Sequence, residues 1–421
     1  MVSAVRRLRD LWAGWALRLR GETLLVLLAR LTNAGAGTVL VILTARHLGP
    51  SGRGEIAVAF TLAWATTNVA SLGTQTSGRI SLLRPDSTIT AHDVVSLTAA
   101  LVPLQLLLST VAVTVLSAIS FHWSSSFIIA TVALSMATMV FHSAVCLMYG
   151  LRRYGEVLIA EGSLAVLQIG LLAGLFWGDR LTSTSAVTVM VVGPALGAIW
   201  LVGRSGGLHH TGTNRDRSSW RTLLVDGLSP MAGDISLFLA LRLNRLVVAV
   251  YAGTHSLGLF TVALALPETL RVLPKAVGQV VADRVRSGID PIAVAQRHLR
   301  VFVVGHGLVL AVATAVGWVL LPVIFGEGFA DARDVLALVT AAEFVLVIHL
   351  MCQALLVGFG RPKGIGLPQV VGAVVIVVLN IVMIPRWGVH GAAWACLFGY
   401  AALAAVSTAW TSRELRKIGN Q

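Results

Sequence analysis

Two arginines, Arg242 and Arg245, interrupt an apolar stretch that runs from Leu237 to Val250. A guanidinium facing lipid at the centre of a bilayer costs roughly 2.5–3.5 kcal/mol on insertion scales. Two of them in four residues point to a wet cavity and an anionic cargo. The competing reading is that they snorkel to the headgroups, because the stretch ends a few residues later. Asp226 and Asp234 in the same segment favour the cavity.

A second group follows. Glu268, Arg271 and Lys275 are spaced three and four apart, and so share one face of a helix. Pro267 and Pro274 flank them, and proline removes a backbone hydrogen bond and kinks a helix. The group reads either as a cationic cavity wall with an internal Glu268–Arg271 pair, or as a structural ion pair between packed helices. Arg30 is a further candidate for the same wall. Asp234, Glu268 and Glu343 are candidates for ion coupling, because carboxylates inside membranes mark ion paths. Glu161 is of the same kind. His142, His306 and His349 read as packing or helix–helix hydrogen-bonding residues.

No cofactor or metal is expected, and no enzymatic activity. The three lysines follow Pro274, Pro362 and Arg416, so there is no Walker A loop. No His-Glu-x-x-His occurs. Cys146, Cys352 and Cys396 have no metal-like spacing and read as small apolar packing residues.

The elements that must carry these side chains are membrane helices. Of 421 residues, 56% are hydrophobic and 12% charged, with a mean hydropathy of +0.83. Soluble domains carry about 25% charged residues. A helix spans a bilayer with about 20 residues. Twelve runs of that kind are expected, near 22–46, 55–79, 93–117, 125–150, 157–178, 184–203, 222–250, 257–282, 299–325, 334–359, 364–385 and 389–411. Barrel strands alternate and are shorter, so the fold class is an all-α polytopic membrane protein.

A net charge of +13 invites a nucleic-acid reading. Its distribution excludes one. Of the 32 Lys and Arg, 22 fall in the termini and the even-numbered loops, five in the other loops and five within spans. The positive-inside rule then places both termini in the cytoplasm, in a multi-pass protein of the cytoplasmic membrane. Val5, Leu8, Trp12, Trp15 and Leu19 recur at helical spacing among arginines, as in a helix lying on membrane lipids.

The organisation expected is a cytoplasmic amphipathic segment (1–21), a six-helix bundle (22–203), a cytoplasmic linker (204–221), a second six-helix bundle (222–411) and a cytoplasmic tail (412–421). The two bundles are related. At an offset of 204, Ala45, Gly49, Gly54, Ala59 and Leu62 meet Ala249, Gly253, Gly258, Ala263 and Leu266. Parallel repeats of this kind hold their site between the halves. The offset also sets Arg79 opposite Asp283, a candidate gate pair, and Arg30 opposite Asp234. Gly170-x-x-x-Gly174 and Gly193-x-x-x-Gly197 permit close helix approach.

Four stretches carry a family resemblance. They are ARHLGPSGRGEIAVA (45–59), VYAGTHSLGLFTVA (250–263), FGEGFADA (325–332) and LNIVMIPRWGVHGAAWA (379–395). Together they resemble the polysaccharide (O-antigen, Wzx-like) flippases of the multidrug/oligosaccharidyl-lipid/polysaccharide exporter superfamily. The resemblance implies two pseudo-symmetric bundles in a V-shaped, MATE-like arrangement that alternates between inward and outward openings. It implies a polyprenyl-pyrophosphate-linked oligosaccharide as cargo, with a polysaccharide polymerase or glycosyltransferases as candidate partners. One position departs: the family often has an aspartate in span 7 where this chain has Asn244. The substrate-binding set expected is Arg242, Arg245, Arg271, Lys275 and Arg30, because a guanidinium fork matches phosphate oxygens. The rival readings are a multidrug or metabolite exporter of the same superfamily, and a polytopic membrane enzyme of polysaccharide assembly.

Overall fold

The computed structural model describes residues 21–207, 217–286, 292–359 and 363–419. The expected interfacial helix before residue 21 and most of the central linker lie outside these. The described residues form eleven α-helices: α1 (Gly21–Ala70), α2 (Thr74–Leu83), α3 (Ala91–Leu116), α4 (Ser125–Gly150), α5 (Tyr154–Trp177), α6 (Ser183–Arg204), α7 (Arg217–Leu270), α8 (Val272–Arg286), α9 (Ile292–Phe325), α10 (Arg333–Gly358) and α11 (Lys363–Gly419).

Three of these are far too long for one crossing. At 1.5 Å per residue, the 50 residues of α1 would reach about 75 Å, against about 30 Å of hydrocarbon. Each long helix is broken by one glycine with positive φ: Gly49 (φ 66°), Gly253 (φ 83°) and Gly388 (φ 52°). With their ψ values of −172°, 169° and −127°, these are backbone conformations essentially reserved for glycine. In α11 the two limbs run back along each other. A Cβ on Gly391 would meet the backbone of Met383, one on Gly399 the side chain of Ile376, and one on Gly372 that of Leu403. With α2 and α8 taken as continuations of the limbs before them, and each long helix counted as two limbs, the described residues form twelve limbs, six before the central linker and six after it.

The repeat is visible in the packing. A Cβ on Gly54 would overlap the Thr254 carbonyl, and a Cβ on Gly258 would overlap the Pro50 carbonyl. Pro50 and Thr254 are themselves 204 residues apart, so the two contacts are one contact repeated about the pseudo-axis. The bundles therefore touch backbone to backbone at the end that carries Gly49 and Gly253, here termed the hairpin end. Ala45, Ala57, Val58 and Leu62 of α1 are buried there in one core with Leu257, Phe260 and Ala263 of α7. Arg46 also reaches across, donating from Nη2 to the Val323 carbonyl at 3.1 Å.

At the opposite end, the start of α7 leans on the first bundle. Ser77 Oγ donates to the Leu223 carbonyl at 2.8 Å, and Trp220 Nε1 to Ser96 Oγ at 3.3 Å. Leu223 is buried there among Val94, Leu97, Met139 and Leu147.

Gly54→Ala is expected to force the bundles apart at the hairpin end, because its methyl group meets backbone rather than a side chain that can turn away. Spin labels at Arg180 and Trp387, on the two bundles, should then show a longer distance than in the otherwise unchanged protein. An unaltered distance distribution in folded Gly54→Ala would show that this contact does not hold the bundles together.

Candidate functional site

The charged side chains meet where the bundles do. Arg245 of α7 donates from Nη2 to Glu268 Oε1 at 2.5 Å. The same carboxylate oxygen lies 3.9 Å from Arg271 Nη2. Arg271 in turn holds Glu343 of α10 with a two-point fork: Nε donates to Oε2 at 2.8 Å, and Nη2 to Oε1. The result is an alternating ladder, Arg245–Glu268–Arg271–Glu343. Glu343 and Arg245 are buried.

The prolines explain how Arg271 comes to sit in it. Pro274 has no N–H to give to the Leu270 carbonyl, so the helix breaks, and α7 ends at Leu270 while α8 begins at Val272. Arg271 occupies the break, with its N–H bonded back to the Pro267 carbonyl at 3.2 Å. The expected Glu268–Arg271 proximity is present. The stronger partners are more distant: Arg245 for Glu268 comes from the other limb of α7, and Glu343 for Arg271 from α10.

Two further guanidiniums adjoin the ladder. Arg242, one turn before Arg245, lies over the Phe60 ring of α1 at 6.0 Å from its centroid. Arg53 comes from the second limb of α1, within electrostatic reach of Arg245 and Glu268. Among the described residues no carboxylate lies within 4.0 Å of either. Arg53 Nε is buried without a hydrogen bond. The group holds four guanidiniums and two carboxylates, an excess of two positive charges. The ladder is neutral in itself, so the excess belongs to Arg53 and Arg242, one from each bundle.

The other predicted residues are placed less centrally. Lys275 is exposed, one turn beyond Arg271. Asp226 and Asp234 are exposed rather than buried. The side chains of Arg30 and Asp283 lie outside the described residues. Arg79, the expected partner of Asp283, has its guanidinium over the Tyr149 ring at 5.4 Å. Asn244 donates to Cys396 Sγ at 3.0 Å, and its Oδ1 is buried without a partner. His349 pairs with Ser407 across 2.6 Å, in keeping with a helix–helix role.

Arg53 is the residue that sequence reasoning missed. It stands in a Gly- and Pro-rich stretch that reads as a loop up to residue 55. A usable signal was Pro50 directly after Gly49, since proline is favoured in the first turn of a helix.

This arrangement is the two-bundle fold of known membrane transporters. The chain matches an inward-facing multidrug resistance MATE family transporter of the MOP superfamily with a TM-score of 0.66 and 12% identity, over 93% of this chain and 96% of that one. It matches the lipid II flippase MurJ in an inward closed conformation at 0.67 and 13%, over 92% and 86%. An outward-facing MATE family transporter of the MOP superfamily matches at 0.58 and 12%, over 95% of each chain. No protein-family model matches the chain, and no curated protein does. At such identities the likeness is one of fold.

Proposed function

We propose that this protein flips a polyprenyl-pyrophosphate-linked oligosaccharide across the cytoplasmic membrane by alternating access, for cell-surface polysaccharide biosynthesis. The observation that carries the reading is that Arg53 and Arg242, one from each bundle, adjoin the neutral ladder without a carboxylate of their own. A diphosphate diester has one ionised oxygen on each phosphorus, and two guanidiniums neutralise it. The ladder holds α7, α8 and α10 in register, so the binding groups are preorganised. The lipid tail stays in the bilayer, and only the headgroup has to pass between the bundles.

Arg245 and Arg271 belong to this site as positioning residues that share their charge with carboxylates. Lys275, one turn beyond Arg271, extends the cationic wall. The charge asymmetry of the loops sets the hairpin end outside. Arg79 and Asp283 are repeat-equivalent charges for a gate at the other end. An excess of positive charge disfavours cationic drugs as cargo.

In cells, deleting the gene should remove surface polysaccharide and leave its lipid-linked precursor accumulating on the cytoplasmic side, and the intact gene should reverse both. Normal surface polysaccharide in the deletion strain, together with a new sensitivity to cationic drugs, would assign the protein to drug export instead.

A further inference from the structure

The second limb of α1 carries a row of side chains that the ion ladder leaves unused. Arg53, Phe60, Trp64 and Asn68 are spaced seven, four and four apart. At about 100° per residue they occupy a strip roughly 80° wide. The other faces of the limb are committed to packing. Ile56, Ala59 and Ala63 are buried in the core of the first bundle, and Ala57, Val58 and Leu62 in the core shared by the two bundles.

The aromatic strip is open by comparison. Phe60 is 36% exposed, and Trp64 and Asn68 are half-buried. It lies on the side of the limb that meets the second bundle. Arg53 shares it, and Arg242 of the opposite bundle lies over Phe60. Phe60 and Trp64 meet edge-on with centroids 6.4 Å apart, and Trp64 is braced edge-on against His142 of α4 at 5.1 Å. Braced rings lose little freedom when a ligand stacks on them. Among the described residues nothing accepts a hydrogen bond from the Trp64 indole N–H.

We propose that Phe60 and Trp64 are the seat for the saccharide, a subsite distinct from the arginines that take the diphosphate. A pyranose ring presents a face of C–H bonds, apolar and slightly positive. The face of an aromatic ring carries the negative lobe of its quadrupole. The two surfaces attract, and C–H···π contacts orient the sugar. Hydroxyls at the rim of the sugar meet the Trp64 N–H and the Asn68 amide, which offers both donors and an acceptor. Arg53 and Phe60 are separated by about 10 Å along the helix. A headgroup with its phosphates at Arg53 and Arg242 therefore extends its first sugar onto the rings. This inference rests on the flippase reading, and it adds selection for a carbohydrate to selection for charge.

The test compares two lipids on the full-length protein in nanodiscs: a polyprenyl diphosphate carrying a disaccharide, and the bare polyprenyl diphosphate. Each competes against a fluorescent polyprenyl diphosphate. The intact protein should prefer the saccharide-bearing lipid. Phe60→Ala and Trp64→Ala should each weaken that lipid roughly tenfold, a typical effect for loss of one ring contact, and leave the bare lipid unchanged. Trp64→Phe keeps the ring and its packing, guards against misfolding, and should lose only a few-fold. Equal affinity of the intact protein for both lipids would overturn the saccharide seat and leave the diphosphate site standing. Equal loss of both lipids in the alanine variants would also overturn it, by making the rings supports for Arg242. Failure of the intact protein to bind either lipid would remove the flippase reading itself.

Discussion

Replacing Arg53 or Arg242 with alanine abolishes cargo transfer and leaves the protein in the membrane at its normal abundance. The expectation follows from what each side chain lacks. No carboxylate lies within 4.0 Å of either among the described residues, so neither deletion strands a buried anion. What disappears is half of the positive excess that faces the cargo. A hydrogen bond to a charged group is worth about 1.5–3 kcal/mol, so one lost guanidinium weakens the diphosphate by roughly ten- to a hundredfold. Arg242→Lys should restore only part of the activity, because an ammonium cannot copy the planar fork. Surface polysaccharide labelling beside an immunoblot of the membranes separates the two effects. Wild-type export by both alanine variants would remove these residues from the cargo path.

The ladder behaves in the opposite way. Glu343→Ala leaves Arg271 buried with its fork empty, and breaking a buried pair from one side typically costs about 3–5 kcal/mol. That is a large share of the stability of most domains. The variant is expected to be scarce in the membrane and to melt well below the intact protein once purified. Removing both charges together, as Arg271→Leu with Glu343→Leu, leaves no orphaned ion. Such double replacements are often neutral or stabilising. The cycle should therefore show strong recovery of thermal stability in the double variant. Additive losses would mean that the pair does not act as a unit, and that Arg271 is held by something other than Glu343.

How much of this was legible in the sequence depended on distance along the chain. Glu268 and Arg271 are three apart, and helical geometry alone predicts their approach. Arg271 and Glu343 are 72 residues apart, and no local pattern joins them. The paired glycines of the repeat were legible because glycine is nearly obligatory where two backbones touch, and Gly54 and Gly258 both sit at such contacts. The same logic fails where space is merely permitted. Gly193 and Gly197 pack against Gln168, Leu164 and Phe141, whereas Gly170 and Gly174 have nothing within 4 Å. Asp234 was expected inside and is exposed, because burial of a span does not say which of its faces is covered. Arg53 was hidden by its neighbours, which look like a loop until Gly49 takes the turn and Pro50 starts the next limb.

The central claim is that the protein itself moves a diphosphate-linked saccharide between leaflets. Purified protein in sealed liposomes, loaded with a fluorescent polyprenyl-diphosphate oligosaccharide, measures this directly, because a membrane-impermeant quencher reports the fraction of headgroups on the outside. Intact protein should make the inner-leaflet pool accessible to quencher within the assay, and Arg53→Ala and Arg242→Ala should leave it protected, as in protein-free vesicles. Protection by well-folded intact protein, or equal access with the arginine variants, would contradict the account.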